Sequence, residues 1–170
     1  MKCRPKRKTR SERENENNTQ IEEIIRRTDD IGIGIEETRN EKGRAVIATK
    51  ELKKGDLIVE YTGELLAFQE AKMREAEYAR KGVTDSFMYF FKFKENNFCI
   101  DATTEDGRLG RLLNHSAMSP NCGTKVVWFG GKPRLILFAK KDISERSELV
   151  FDYGERRKKI VEEFPWLRKS

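Results

Sequence analysis

Four short segments carry the residue types from which a reaction site could be assembled: KGRAV at 42–46, EYTGEL at 60–65, RLGRLLNHS at 108–116 and ELVFDYG at 148–154. His115 is the one histidine of the chain, and acid–base work, metal ligation and packing are all open to it. Metal ligation lacks partners: there is no second histidine, and Cys3, Cys99 and Cys122 lie far apart with no CxxC pair. No metal site is indicated. A Ser–His–Asp arrangement would want a nucleophile motif such as GxSxG, and none is present. Gly43 would let a ligand come close to the backbone, while Lys42 and Arg44 could donate to a carboxylate. Taken alone, though, KGR is a hairpin turn. Tyr61 and Tyr153 fall at strand ends, where aromatic packing is the ordinary reading.

These residues must be positioned by the elements around them. Residues 1–19 are polar and without hydrophobic periodicity, which predicts a disordered arm, helical at most near its end. Ile21, Ile24 and Ile25 fall at helical spacing and predict a leading helix within 20–30. IGIGIEE and AVIAT flank a turn-rich RNEKGR and read as two short strands. LIVEYTG reads as a buried strand ending at Gly63, and AFQEAKMREAEYARKG as the one long helix, stopped at Gly82. FMYFFKF with FCIDAT, and TKVVWF with RLILFAK around GGKP, predict two hairpins. DGRLGRLLNHSAMSPNCG should be mostly irregular, SELVFDYG adds a last short strand, and RKKIVEEF a short helix within 156–170. The pattern describes a mainly β domain over 31–155.

Composition narrows the setting. Six basic residues and no acid occupy positions 1–10, so the chain's net charge of +6 resides in that arm and the remainder is balanced. Such an arm suits nuclear import or contact with DNA. No apolar run is long enough to span a bilayer, and the N-terminus has no apolar signal segment, so no membrane association is expected. The Asn-His-Ser sequon would then go unused.

The order and spacing of the four segments resemble the SET-domain protein lysine methyltransferases, from about residue 30 to Leu167. VIATK, VEYTGEL, AKMREAEYA, CIDAT, RLGRLLNHS, LILFAKKDI and FPWL are most similar to the histone H4 lysine-20 monomethyltransferase subfamily. The resemblance implies a SET (β-clip) fold: small curved sheets, a pseudoknot between the NHS segment and the final strand, one longer helix and short terminal helices. It also implies S-adenosylmethionine as cofactor. Lys42, Gly43 and Arg44 match its binding motif, although Ala45 stands where the family often has a second glycine. Asn114 would meet the cofactor's amino-acid end and the His115 main chain its adenine, with Phe87 and Trp166 also placed at the cofactor. Trp166 packing into the core is the competing reading. The short C-terminal segment takes the place of the zinc-binding one that many relatives carry.

The chemistry is implied to fall to Tyr153, with Tyr61 holding the substrate amine. Phe151 matches a position that switches the family between one methyl group and more. The subfamily usually has tyrosine there, and another aligned with Phe87. Without a hydroxyl at 151 the space for a methylated amine can open, so the product could exceed monomethyl lysine. The implied partner is the histone H4 tail or nucleosome, with DNA contact through the basic arm, and the implied setting is a monomer on nuclear chromatin. Glu64, Glu105, Asp106 and Glu148 are the candidates for an acidic groove facing that basic tail. The alternatives are a methyltransferase for another histone or non-histone lysine, and a catalytically silent chromatin-binding SET module.

Overall fold

The computed structural model describes residues 9–27, 30–37, 43–83 and 86–154, so Lys42, Trp166 and the expected C-terminal helix lie outside the described residues. The first element is a helix, α1 (Arg10–Arg26), longer than the expected leading helix. Residues 10–19 of the polar arm are therefore helical, more than the stretch near its end that the sequence predicts. The reason is local. Thr9 and Glu12 form a reciprocal capping box, and Arg10–Glu14, Arg26–Glu22 and Arg27–Glu23 pair one turn apart. None of this shows in a hydrophobic pattern, because only Ile21 and Ile24 of the helix are buried. At 17 residues α1 also exceeds the 13 of the second helix, so the longest helix among the described residues is the leading one.

Two strands, β1 (Ile33–Glu37) and β2 (Arg44–Ala48), pair antiparallel as Ile33 with Ala48 through Glu37 with Arg44. Then come β3 (Leu57–Glu60) and β4 (Glu64–Ala67), which leads directly into α2 (Phe68–Arg80). Where the pattern predicts one strand through Gly63, β3 ends at Glu60 and a separate strand, β4, follows. The chain turns between them at Thr62–Gly63, where a Cβ on Gly63 would lie 2.5 Å from the Asp101 carbonyl. Only glycine admits that approach.

The hairpin β5 (Met88–Phe93) and β6 (Asn96–Asp101) pairs with β4 to give the sheet order β4-β6-β5. After a 3-10 turn at Gly110–Leu112 comes a two-residue strand, β7 (Asn114–His115). The longest hairpin, β8 (Cys122–Phe129) with β9 (Lys132–Ala139), is joined by Gly130 and Gly131 at φ +63° and +79°, the backbone of a tight primed turn. It adds β3 to give the order β3-β9-β8. Phe91, Leu113, Leu135, Leu137, Leu149 and Phe151 fill the core between the small sheets, each almost wholly withdrawn from solvent.

The last strand of the described residues, β10 (Val150–Phe151), decides the topology. It runs parallel to β7, with Val150 opposite Asn114 and Phe151 opposite His115. Its other contacts come from the far end of the same loop: Asn121 N–H donates to the Val150 carbonyl at 3.1 Å, and Val150 N–H to Asn121 Oδ1 at 2.9 Å. The loop 114–121 thus embraces the final strand from both ends, a threading that most folds avoid.

Candidate active site

The embrace of β10 by residues 114–121 brings four of the sequence-selected residues together. Tyr61, just after β3, is 4% exposed, and Phe151 in β10 is 1% exposed. Their rings meet edge to face at 6.4 Å between centroids. Phe151 also lies 4.6 Å from Tyr153, and Tyr153 5.0 Å from the His115 imidazole. A fifth ring completes the row: Tyr89 of β5 lies 5.6 Å from Tyr61 and 5.9 Å from Phe151. Its hydroxyl shares a hydrogen bond of 2.9 Å with Thr124.

The hydroxyls of Tyr61 and Tyr153 are held by backbone. Tyr61 Oη donates to the Phe87 carbonyl at 3.3 Å, and Tyr153 Oη donates to the Leu113 carbonyl. Tyr153 as a residue is 43% exposed, but its hydroxyl end points inward at that carbonyl. Burial pushes its phenol up to about 12 and pushes that of Tyr61 up still more strongly. Both remain protonated near neutrality. They are hydrogen-bonding groups, not bases.

His115 serves the same assembly through both backbone and ring. Its main chain pairs with Phe151, and its Nδ1 accepts the Tyr153 backbone N–H at 3.1 Å. That acceptor role places any single ring proton on Nε2. Asn114 links the site to β2: its Nδ2 donates to the Arg44 carbonyl at 3.1 Å and to Glu148 Oε1 at 2.8 Å. Two acceptors on one nitrogen fix which way the amide points. Gly43 precedes Arg44 at φ +71°, with no atom within 4 Å of where a Cβ would stand.

Phe87 stands just before β5, beside Tyr61. Its carbonyl takes the Tyr61 hydroxyl, and its ring lies beneath the Arg111 guanidinium at 4.0 Å. Arg111 is buried, donates to the carbonyls of Ala102 and Thr103, and pairs with Glu105 at 2.9 Å. Glu105 also pairs with Arg44, so one carboxylate joins the Gly43–Arg44 segment to Arg111 and, through it, to Phe87.

Residues 43–154 match the model of the SET domain. The chain belongs to the SET-domain family. The N-lysine methyltransferase KMT5A-A of Xenopus laevis is 44% identical over 165 residues, 97% of this chain and 49% of that protein. The histone-lysine N-methyltransferase set-1 of Caenorhabditis elegans is 42% identical over 126 residues, 74% of this chain and 52% of that protein. The chain thus spans about half the length of these relatives. The crystal structure of CpSET8 from Cryptosporidium superposes with a TM-score of 0.76 at 34% identity, covering 91% of this chain and 70% of that one. A structure of ctPRC2 bound to S-adenosylmethionine gives 0.60 at 28% identity, over 78% of this chain and 17% of that one.

Several participants in this SET domain gave no signal in the sequence. Tyr89 sits in the run FMYFFKF, where one aromatic in five cannot be told from core. Leu113 contributes only a carbonyl. The four acidic candidates are all engaged within the chain: Glu64 with Arg74, Glu105 with Arg44 and Arg111, Asp106 with the Thr62 hydroxyl and Arg108 N–H, and Glu148 with Asn114. Hydrogen bonding to Arg74 and to Arg44 holds the Glu64 and Glu105 carboxyls below their usual range. Their charges are therefore matched at home before any substrate arrives.

Proposed function

We propose that this SET domain is an S-adenosylmethionine-dependent lysine N-methyltransferase acting on histone H4 at lysine 20, on nuclear chromatin. The observation that carries the reading is the row Tyr61–Phe151–Tyr153–His115, with the Tyr61 and Tyr153 hydroxyls fixed on backbone carbonyls beside the Asn114–Arg44 junction. The residues fit the cofactor. Gly43 leaves open space at a left-handed backbone position, and Asn114 Oδ1 is left to accept from an amino group because its nitrogen is spent on Arg44 and Glu148. The faces of His115 and Tyr153, both partly exposed, offer a flat surface. Lys42 and Trp166 complete the proposed cofactor contacts.

When bound, S-adenosylmethionine supplies a methyl group on a positively charged sulfur. The chain supplies alignment. A lysine side chain entering between Tyr61 and Tyr153 meets two hydroxyl oxygens whose protons are already committed to carbonyls, so their lone pairs face the amine. The aromatic walls exclude water and disfavour an ammonium, which releases its proton to solvent before reaction. Tyr61 and Tyr153 keep theirs.

Phe151 bears on the product. It is buried against three tyrosines and has no hydroxyl with which to hold a water in the space beside the amine. We propose that the enzyme proceeds beyond monomethylation. The basic arm within residues 1–10 would contact nucleosomal DNA, and the chain would act as a monomer. The test is S-adenosylmethionine binding by calorimetry, followed by mass spectrometry of recombinant nucleosomes, with Tyr153→Phe as control. Transfer to lysine 20 of H4 supports the reading. Cofactor binding without transfer to any histone would sink it.

A further inference from the structure

The C-terminal end of α1 is fastened to the segment that carries the site. Arg108 heads that segment with its side chain 11% exposed, and the Asp30 side chain that it meets is 4% exposed. Arg108 Nε donates to Asp30 Oδ1 at 2.8 Å. Nη1 and Nη2 donate to the carbonyls of Arg27 and Ile24 at 2.9 and 3.4 Å. Carbonyls at a helix end have no partner within the helix. One guanidinium therefore caps α1 and pairs with the carboxylate just beyond it.

Asp30 answers through its second oxygen, Oδ2, which accepts the Leu109 N–H at 2.6 Å. The next residue, Gly110, lies against the backbone of Glu60 and Tyr61: a Cβ there would be 2.2 Å from the Glu60 carbonyl oxygen and 3.1 Å from Tyr61 Cα. Leu113 then receives the Tyr153 hydroxyl, and Asn114 and His115 pair with β10. Residues 108–115 are thus held by α1 at their start, by Tyr61 in the middle and by Tyr153 at their end. A buried ion pair adds little net stability, since desolvation offsets most of its attraction, but its geometry is well defined.

We propose that the Arg108–Asp30 pair is a positioning device for the reaction: it sets residues 109–113 against Tyr61 and so fixes the Leu113 carbonyl on which the Tyr153 hydroxyl rests. The proposal rests on the methyltransferase reading given above. Neither residue touches the reacting atoms. Both act through Leu113.

The experiment compares the full chain with Arg108→Ala, Asp30→Asn and Arg108→Lys, each assayed on nucleosomes and each labelled with 13Cζ-tyrosine for NMR, the Tyr153 signal being assigned by its loss in Tyr153→Phe. The expected result for Arg108→Ala is a kcat lower by about tenfold or more, as misplacement of a reacting group produces. KM for both substrates should stay within about twofold, with the Tyr153 signal displaced. Asp30→Asn should show the same changes to a smaller degree. Arg108→Lys, which keeps the cation but only one nitrogen of the three, should recover part of the rate and bring the Tyr153 signal back toward the parent. An unchanged kcat and Tyr153 signal in Arg108→Ala overturns the proposal. So does a loss of rate accompanied by an equal loss of cofactor affinity and no recovery in Arg108→Lys, the pattern of general unfolding. If the parent chain itself transfers no methyl group, the methyltransferase reading falls, while the Tyr153 signal still decides the positioning role.

Discussion

The hydroxyl of Tyr153 donates to the carbonyl of Leu113, a residue 40 positions earlier in the chain. The bond closes the site across the two segments that thread one another, and it sets the direction in which the phenol oxygen offers its lone pairs. Leu113 is fully buried, so its carbonyl has no recourse to water. A single hydroxyl is structural here and, in the proposed reaction, chemical as well.

Tyr153→Phe should therefore lose methyl transfer by about a hundredfold or more, the scale seen when one positioned polar group is removed from a reaction site. The stability cost should be modest, about 1–2 kcal/mol for a buried acceptor left without its donor. Single-turnover rates on nucleosomes and urea unfolding measure the two effects separately. A variant with near-parent rates would count against Tyr153 as the central residue.

The pH dependence follows from the same hydroxyl. Burial raises the Tyr153 phenol to about 12 from the roughly 10 of an unfolded chain. A raised phenol favours the protonated folded state. Its contribution to stability is complete below about pH 10 and is lost as pH climbs toward the folded value. The transfer rate should rise with pH as the substrate amine loses its proton, with no falling limb from Tyr153 below about pH 10. A pH–rate profile of kcat/KM checks this. A falling limb near neutrality that disappears in Tyr153→Phe would contradict it.

Phe151→Tyr should confine the product to monomethyl lysine, because the added hydroxyl can hold a water beside the amine. Phe151 packs against Tyr61, Tyr89 and Tyr153, so the extra atom also crowds a full core and should cost about 1–3 kcal/mol. Mass spectrometry at long incubation reads the methyl count. The same product distribution in both proteins would remove Phe151 from this role.

Gly110→Ala tests the close approach beneath Tyr61. Its new methyl would meet the Glu60 carbonyl at 2.2 Å, and backbone on both sides leaves no flexible side chain to yield. We expect destabilisation of about 2 kcal/mol or more together with a reduced kcat, read by thermal unfolding and by steady-state kinetics. An alanine variant as stable and active as the parent would show that this contact can relax.

Much of the architecture was legible in the residues because it is locally encoded. The GGKP turn, the helix formers of AFQEAKMREAEYARKG and the alternating aromatic strands each carry their own signal within a few positions. So did the segments NHS and FDYG, through their order and spacing. The amino-acid sequence by itself determined which groups were available for chemistry. It missed the polar first half of α1, whose support is a cap and ion pairs rather than an apolar stripe, and β4, which is four residues long and defined by its partner. Only the tertiary structure decided how the available groups meet. β7 and β10 are two residues each and exist only as a pair, so no local pattern can announce them. Tyr89, the Leu113 carbonyl and the Arg108–Asp30 pair belong to the same class: contacts between distant segments, fixed when the core closes, for which a linear chain holds the residues but not the distances.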